Sequence, residues 1–299
     1  MFGRISKISP LAKRLLTKGF GQDNLPPSVC DPTSVDDPEW RTVQKPTERN
    51  RYVTVQKLVG FGDDESMKQI PLWRLRTTVQ GKSVIPRFPS LVTDFDVREV
   101  WDDTVGSVEE IIPLDLAQAD ATYGGIPPNS KYNGGLSTKC GIGRCVTKPA
   151  LGGLVSAREQ MTICGVQEFG EKQGSKQGSI VWAFECDDRY HGGLWPEGSE
   201  RETRAKTGIF SVAMLRLPES EDVAPNTFAV EYTLQLSIGG KLPPFAIGAV
   251  NAVVLSAVKT MFKYAKSQYF LPGGPADKFE EARERVEQQI EKKAAGIIV

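Results

Sequence analysis

The 299-residue chain has a single histidine, His191, and its charges cancel, with 37 basic and 37 acidic residues. A zinc enzyme or a histidine-based catalytic triad would have to depend wholly on His191, so the sequence disfavours both. A net charge of zero predicts no general affinity for nucleic acid. No stretch combines a nucleophile with a general base, and we therefore expect a protein that is not an enzyme.

Cysteine is also scarce, and the five residues form an odd, scattered set: Cys30, Cys140, Cys145, Cys164 and Cys186. Such a set is typical of reduced thiols, which predicts an intracellular protein, cytoplasmic or peripheral on a membrane; the alternative is a mitochondrion or another organelle. Cys140 and Cys145 have no second pair to complete a zinc site, and Gly141-x-Gly143 lacks the rest of a dinucleotide fingerprint, so we interpret it as a loop. We expect no metal and no cofactor, although a lipid ligand is compatible with the composition.

Long uncharged runs are missing except at Leu242 to Val258. This run is near the lower length limit for a membrane span and is interrupted by Pro243, Pro244 and Asn251. A buried helix of a soluble fold is the favoured interpretation.

That run belongs to a strand–turn–helix unit around which the rest of the chain is organised. Thr227 to Ser237 alternates, with Phe228, Val230, Tyr232, Leu234 and Leu236 on one predicted face, as in a strand with one buried face. Gly239-Gly240 supplies a sharp reversal, and Pro243-Pro244 suits the first turn of a helix. From Phe245 to about Lys266 the apolar spacing is helical.

The two ends of the chain differ in composition from the middle. Residues 1–22 hold five basic and no acidic residues at amphipathic spacing, which is typical of an organelle presequence or of a helix that docks on a membrane surface or a partner; a disordered tail is the alternative. Residues 23–39 read as an extended Pro/Asp-rich linker. We expect a folded domain at 40–270 and a charged helix and tail at 271–299.

Further strands are predicted at 51–59, 72–79, 108–114, 156–165, 179–186 and 208–217, a short helix at 97–105, and a glycine-rich stretch at 123–153 whose segment 124–135 is loop-like. Many antiparallel strands with one long apolar C-terminal helix predict an α+β domain in which a curved antiparallel sheet wraps around that helix. Small residues on the helix opposite large ones on the sheet would leave an apolar cavity, which is where ligands usually bind.

Four segments in this order resemble the StAR-related lipid-transfer (START) domains over about residues 40–270. They are Val97-Arg98-Glu99-Val100-Trp101-Asp102, Ser156-Ala157-Arg158-Glu159, Arg204 to Leu217, and Ser237-Ile238-Gly239-Gly240-Lys241-Leu242-Pro243 leading into the long helix. The resemblance implies a helix-grip fold that holds one sterol, phospholipid or sphingolipid without covalent chemistry. It also implies a gate at the last helix and nearby loops, here 168–178 and 237–245.

The chain departs from the family pattern at three of these positions. Ser237 stands where the family commonly has Asp, Phe245 where it often has Trp, and Glu159 where Asp is usual. These departures concern lipid specificity more than the fold.

The candidate lipid-binding residues are charged or polar groups for the head group and apolar groups for the cavity wall: Arg158, Trp182, Arg204, Tyr232, Ile247, Val250, Asn251, Val254 and Val258. Each arginine has a structural ion pair as an equal alternative, and Trp182 has the core as its usual place. For the helix valines, cavity wall and ordinary core stay open. Asn251 would need a partner if it were buried.

We therefore expect a protein that binds a single lipid in an internal cavity and carries or senses it at membranes. Its partners would be a lipid, a membrane surface and, through the N- and C-terminal segments, another protein, but not nucleic acid. The alternative is a structural or assembly subunit of a membrane-associated complex that uses the same fold as a scaffold.

Overall fold

The computed structural model describes residues 40–50, 52–60, 65–112, 138–169, 177–186, 192–197, 199, 203–239 and 244–294. The predicted N-terminal segment 1–22, the linker 23–39 and His191 lie outside these residues, as does most of the predicted loop 168–178.

Nine antiparallel strands form one open sheet in the order β1-β2-β3-β9-β8-β7-β6-β5-β4. Their bounds are β1 Arg41–Gln44, β2 Thr54–Leu58, β3 Leu72–Gln80, β4 Val105–Ile112, β5 Thr138–Thr147, β6 Glu159–Phe169, β7 Gly178–Glu185, β8 Lys206–Arg216 and β9 Thr227–Ser237. From β4 to β9 the strands follow one another in chain order, and β9 then pairs with β3. The strand that the sequence singled out, β9, thus joins the first three strands to the other five.

Four short helices, one long one and a C-terminal one complete the described architecture. They are α1 Glu65–Lys68, α2 Val84–Arg87, α3 Ser90–Thr93, α4 Phe95–Arg98, α5 Pro244–Tyr264, which continues as a π-helical turn Ala265–Tyr269, and α6 Pro275–Ala294. The α+β class and the long C-terminal helix are confirmed. Gly239 adopts a left-handed φ of 65° before the helix, and Pro244 is its first residue.

The interpretation of Gly141-x-Gly143 as a loop was wrong, because this segment belongs to strand β5. Gly141 and Gly143 lie within β5 and pair with β6. Glycine is a poor strand former, but here both neighbouring strands supply hydrogen-bond partners, and this tertiary context outweighs propensity. The helix predicted at 97–105 ends at Arg98 because Val105 already pairs with Thr147 of β5.

The two faces of the sheet can be followed through the register. Tyr232 lies opposite Val212, which lies opposite Val181, and all three belong to the core that includes the long helix. Directly opposite residues on neighbouring antiparallel strands point to the same face. This row therefore marks the inner face, and the alternate row of Arg74, Thr233, Ser211 and Trp182 marks the outer face.

The outer face of β9 is buried, although the sequence predicted only one buried face for this strand. Glu231, Thr233 and Gln235 are each no more than 2% exposed. Gln235 Nε2 donates to the carbonyls of Met67 and Ile70, 3.0 and 2.9 Å away, at the end of α1 and beyond it. Polar residues along one face of a strand therefore have two explanations. The face can be open to water, or, as here, it can be buried and hydrogen-bonded to a segment that covers it.

Helix α5 packs on the sheet unevenly along its length. In its C-terminal half Val258, Met261 and Phe262 are at most 2% exposed. In its N-terminal half Phe245 is 69% and Ile247 39% exposed, although the segment is as apolar as the rest. By length and composition this helix could cross a membrane; in the structure its C-terminal half lies against the inner face of the sheet.

Polar contacts fasten the same C-terminal half. Lys259 Nζ donates to Gln44 Oε1 of β1 at 2.7 Å, and Lys266 Nζ donates to Thr77 Oγ1 of β3 at 2.6 Å. Helix α6 then begins against α2: Ser83 Oγ donates to Asp277 Oδ1 at 2.9 Å, and Arg87 forms an ion pair with Glu280. Side-chain contacts therefore hold the C-terminal half of α5 on the sheet and the start of α6 on α2.

We predict that Phe262→Ala lowers the free energy of unfolding by about 3–5 kcal/mol, because it removes a fully buried ring from the contact between α5 and the sheet. The matched control is Ser256→Ala, at an exposed position of the same helix, which should change stability by no more than about 0.5 kcal/mol. Denaturant unfolding measures both. Equal effects of the two variants would show that α5 does not depend on this contact.

Candidate ligand-binding site

The inner face stays partly open where it meets the N-terminal half of α5. Trp73, Phe210 and Leu236 of the sheet border the core but remain partly exposed, and so do Val254 and Leu255 of the helix. The Phe210 and Tyr232 rings meet edge to face, 5.3 Å between centroids. Partly exposed apolar side chains on both the sheet and the helix leave space at this edge of the core that water can reach.

A buried ion pair lies beside this space. Arg98, the last residue of α4, donates from Nε and Nη2 to Asp102 Oδ2, both at 3.0 Å. Thr104 completes the carboxylate shell, since its Oγ1 and backbone N donate to Asp102 Oδ1 at 2.5 and 3.2 Å. The Arg98 guanidinium also lies 5.9 Å from the centre of the Trp101 ring.

Two inner-face side chains of the sheet are coupled electrostatically to this pair. Burial raises the pKa of Tyr232 far above its ordinary value; Arg98 opposes this shift and Asp102 adds to it. Burial likewise raises the pKa of the Cys145 thiol, again opposed by Arg98. For Arg98 itself burial favours a lower pKa, but Cys145, Asp102 and Tyr232 together raise it. At neutral pH the cluster is therefore one ion pair with a protonated phenol and a protonated thiol.

Arg98 and Tyr232 of this cluster keep capacity to donate further hydrogen bonds. Asp102 is 3% exposed, whereas the Arg98 side chain is 28% exposed, so one side of the guanidinium faces space that water can reach. Its Nε and Nη2 are bound to the same carboxylate oxygen, and among the described residues no acceptor engages Nη1, which can therefore donate to another group. Arg98 and Tyr232 can therefore donate to the polar group of a molecule lying on the apolar inner face.

A groove of about 460 Å³ runs along the flank of α5 next to this cluster. The turn after α4 forms one wall and the helix forms the other: Glu99, Val100, Trp101, Asp103, Val253, Ser256, Ala257 and Thr260. Trp101 closes its floor, is 5% exposed, and donates from Nε1 to the Leu91 carbonyl at 2.9 Å. The volume is within the usual range of small-molecule sites.

The sequence-predicted residues of the helix lie at different depths. Val258 is 2% and Val250 8% exposed, and both face inward. Val254 and Asn251 are half-buried, and Ile247 is exposed. Of the helix residues predicted to bind lipid, Val254 is thus the one at the partly open border, and Ile247 points to solvent.

Two other predicted residues lie away from this site. Trp182 is on the outer face, with its indole across Gly165, where any side chain would clash with the ring. Successive side chains of a strand point to opposite faces. Because Val181 of β7 faces the helix, its neighbour Trp182 faces away from it. Arg204 stacks on Trp195 at 4.0 Å and donates from Nε to Ser199 Oγ at 3.3 Å. Neither residue comes together with Tyr232.

Arg158 lies at the start of β6 and is 7% exposed. Its Nη1 donates to Ser156 Oγ at 2.6 Å, and its backbone N donates to Thr147 Oγ1 at 3.0 Å. Of the two arginines predicted to contact a head group, Arg158 is the buried one.

Sequence reasoning missed Arg98, Asp102 and Cys145. Adjacent carboxylates are usually solvated, and Asp103 is exposed, but Asp102 is only 3% exposed. The available signal was the i,i+4 spacing of Arg98 and Asp102 on a helix, which brings opposite charges together. Cys145 could not be placed on the inner face while its strand was interpreted as a loop.

No protein-family model matches the chain, and no curated protein matches it. Among solved structures, human StAR-related lipid transfer protein 5 aligns with a TM-score of 0.53 and 14% identity over 77% of this chain and 88% of that protein. Human STARD10 aligns with a TM-score of 0.50 and 14% identity over 80% of this chain and 76% of that protein. The chain therefore has a START-like helix-grip fold, as its sequence motifs predicted.

We predict that the free energy of unfolding falls as the pH rises above about 10, the ordinary tyrosine pKa. The folded state holds the Tyr232 proton more tightly than the unfolded state, so each pH unit above that value costs up to about 1.4 kcal/mol per such tyrosine. Tyr269, whose pKa burial raises to about 12, contributes equally to wild type and variant. Tyr232→Phe should therefore show a shallower decline in denaturant unfolding at pH 8, 10 and 11. Identical slopes would contradict the buried, protonated phenol.

Proposed function

We propose that this protein binds one lipid molecule, a sterol, phospholipid or sphingolipid, between the inner face of the sheet and the N-terminal half of α5. It carries or senses this lipid at membranes without covalent chemistry. The observation that carries the proposal is the set of partly exposed apolar side chains that face each other there, Trp73, Phe210 and Leu236 below and Val254 above. The START-like fold supports lipid binding in general terms.

Apolar area supplies the affinity in this proposal. Removing about 300 Å² of lipid surface from water at about 25 cal/mol per Å² contributes roughly 7 kcal/mol before the costs of association. Arg98 and Tyr232 orient the molecule because they donate hydrogen bonds to its polar end. Asp102 already neutralises Arg98, which favours an uncharged acceptor such as a hydroxyl or a carbonyl at this position.

The uneven packing of α5 supports a gate at its N-terminal half. Helix α5 contacts the 3-10 turn Leu151–Gly153, and its C-terminal half and the π-helical turn are fixed by Met261, Phe262 and the Lys266–Thr77 hydrogen bond. Lifting only the N-terminal half exposes the inner face at a smaller cost in buried area than releasing the whole helix. The loops at 168–178 and 237–245 remain predictions, since much of each lies outside the described residues.

Exposed apolar side chains next to this gate support contact with a membrane surface. Leu154 is 74%, Phe245 69% and Ile247 39% exposed, and they belong to two segments that touch. Apolar side chains clustered at one end of a protein are typical of shallow insertion into the interface of a bilayer. An intracellular setting, cytoplasmic or peripheral on a membrane, agrees with the thiol form of Cys145, Cys164 and Cys186.

Lipid uptake tests the proposal. Purified protein incubated with vesicles of phosphatidylcholine, sphingomyelin and cholesterol should carry one lipid per chain in native mass spectrometry. Val254→Trp should abolish uptake because the indole occupies the proposed space, while Ala252→Trp, on the exposed side of the same helix, should leave uptake unchanged.

Two results would contradict lipid binding. One is wild-type protein that takes up none of the three lipids. The other is equal uptake by both tryptophan variants, which would place the lipid elsewhere. Thermal unfolding of each variant shows whether it is folded, and Val254→Ala, which widens the space instead of filling it, should keep uptake.

We predict that Phe245→Asp and Leu154→Asp each lower the rate of lipid transfer between vesicles about tenfold, because a charge disfavours insertion of the gate into the bilayer. The amount of lipid bound at equilibrium should not change. Val286→Asp, at a similarly exposed apolar position of α6, is the matched control. A transfer assay with fluorescent lipid measures the rates, and equal rates in all three variants would exclude this surface.

A second candidate function is that of an assembly subunit with the same fold as a scaffold. Helix α6 favours it, since Phe279, Val286 and Ile290 follow helical spacing and are 48–61% exposed. A well-packed interior would discriminate the two functions: Val254→Trp would then unfold the protein, and no lipid would be recovered with the wild type.

A further inference from the structure

Helix α6 leaves its own domain after its first turn. The start of the helix is attached by the Ser83–Asp277 hydrogen bond and the Arg87–Glu280 ion pair. From residue 281 to residue 292 every residue is exposed, so about 18 Å of helix, at 1.5 Å per residue, projects from the domain. A helix of this length is marginally stable in water by itself, and contact with another surface would stabilise it.

An apolar stripe runs along this projecting helix. Its members are separated by three or four residues and therefore share one face: Phe279, Ala282, Val286 and Ile290. Phe279 is 48%, Val286 53% and Ile290 61% exposed. Arg87 of the domain covers part of the Phe279 ring, 5.5 Å from its centre. Beyond this first residue, the stripe is an apolar surface open to solvent.

Charges of opposite sign border the two sides of the stripe. One side holds four glutamates at spacings of four and three residues: Glu280, Glu284, Glu287 and Glu291. The other side holds three cations at spacings of seven residues: Lys278, Arg285 and Lys292. The sides follow from the turn of about 100° per residue, because positions 280, 287 and 291 each follow a stripe residue and positions 278 and 285 each precede one.

Two residues interrupt this segregation, and both are paired within the helix. Arg283 forms ion pairs with Glu280 at 2.7 Å and with Glu287 at 3.6 Å. Glu281 pairs with Arg285 at 3.5 Å. Glutamates still outnumber the arginine on one side of the stripe, and cations still outnumber the glutamate on the other.

We propose that α6 joins two copies of this chain as a parallel helix pair with the apolar stripe at its centre. In a parallel two-fold pair, the acidic side of each helix meets the basic side of its partner. In an antiparallel pair, the acidic sides would meet each other, and so would the basic sides. The charge pattern therefore favours a second copy as the occupant of the stripe and fixes the orientation of the pair.

The same pattern disfavours a lipid surface as the occupant of α6. Helices that lie in a membrane interface are rich in Lys and Arg on their polar face, whereas a row of glutamates borders this stripe. The contact is shorter than a standard protein interface, so the pair is reversible and depends on protein concentration. This inference concerns a different surface from the lipid site and does not rest on lipid binding.

Sedimentation of the full chain over an about hundredfold range of concentration tests the pairing. We expect a monomer–dimer equilibrium. Ile290→Asp should raise the dimer dissociation constant at least about tenfold, because it places a charge in the centre of the contact. The matched control is Gln288→Asp, on the opposite side of the helix, which should change this constant less than about twofold. Raising the salt concentration from about 0.05 M to about 0.5 M should weaken the wild-type dimer, since the facing charges attract.

Cysteine cross-linking tests the orientation. Like positions meet in a parallel pair, so Ala282→Cys and Ile290→Cys should each give a disulfide-linked dimer under mild oxidation. The two positions are about 12 Å apart along the helix, and an antiparallel register can bring at most one of them to its own copy. Gln288→Cys and the wild type are the controls and should remain unlinked.

Each outcome decides the proposal. A dimer that Ile290→Asp weakens, that salt weakens and that both cysteines link supports the parallel pair. A wild-type chain that stays monomeric over the whole range, a dimer that Ile290→Asp leaves intact, or linking by one cysteine alone overturns it. A monomeric chain that binds vesicles, and loses this binding in Ile290→Asp, would overturn the pair in favour of a membrane surface. Thermal unfolding shows that each variant is folded, and none of these results bears on lipid uptake.

Discussion

Most of this structure depends on how an apolar helix of 21 residues is buried. Strands β3, β8 and β9 cover the C-terminal half of α5 with Leu75, Val212, Met214 and Val230, all at most 1% exposed, and the two lysine tethers act on the same half. The N-terminal half is similarly apolar but is covered less completely: Ala246 and Val250 are buried, whereas Phe245 is 69% and Ile247 39% exposed. Burying an exposed hydrophobic surface against a ligand or a partner lowers the free energy, so such a surface favours binding.

Polar groups within the fold follow the rule that buried charges need partners. On the outer face Gln56 Oε1 accepts from Arg74 Nε at 3.0 Å and from Arg76 Nη2 at 2.6 Å, and Trp40 stacks on Arg74 at 4.1 Å. On the inner face Asp102 neutralises Arg98. The outer cluster is closed by neighbouring side chains and stabilises the sheet, whereas the inner one borders open space. Position relative to α5, more than residue type, therefore separates enclosed polar groups from those that border open space.

The sequence predicted the fold well where a hydrophobic pattern with strand or helix periodicity was long and uninterrupted. Eleven alternating residues of β9 and the apolar run of α5 identified the central unit, and the resemblance to START domains then implied the helix-grip fold. The prediction failed where tertiary contacts decide local structure: β5 contains two glycines and forms only because β4 and β6 flank it. Losing that strand hid the inner position of Cys145. Trp182 was assigned to the site by size, and its parity with Val181 places it on the other face.

Hydrogen exchange of the α5 backbone tests the central claim most directly, because it reports on the two halves of one helix separately. In lipid-free protein we expect the amides of residues 248–256 to exchange much faster than those of residues 258–269, and to become protected after incubation with lipid vesicles while the second half stays unchanged. Equal protection of both halves without lipid, unaffected by vesicles, would mean that the helix is fully packed on the sheet and that no lipid lies beneath it.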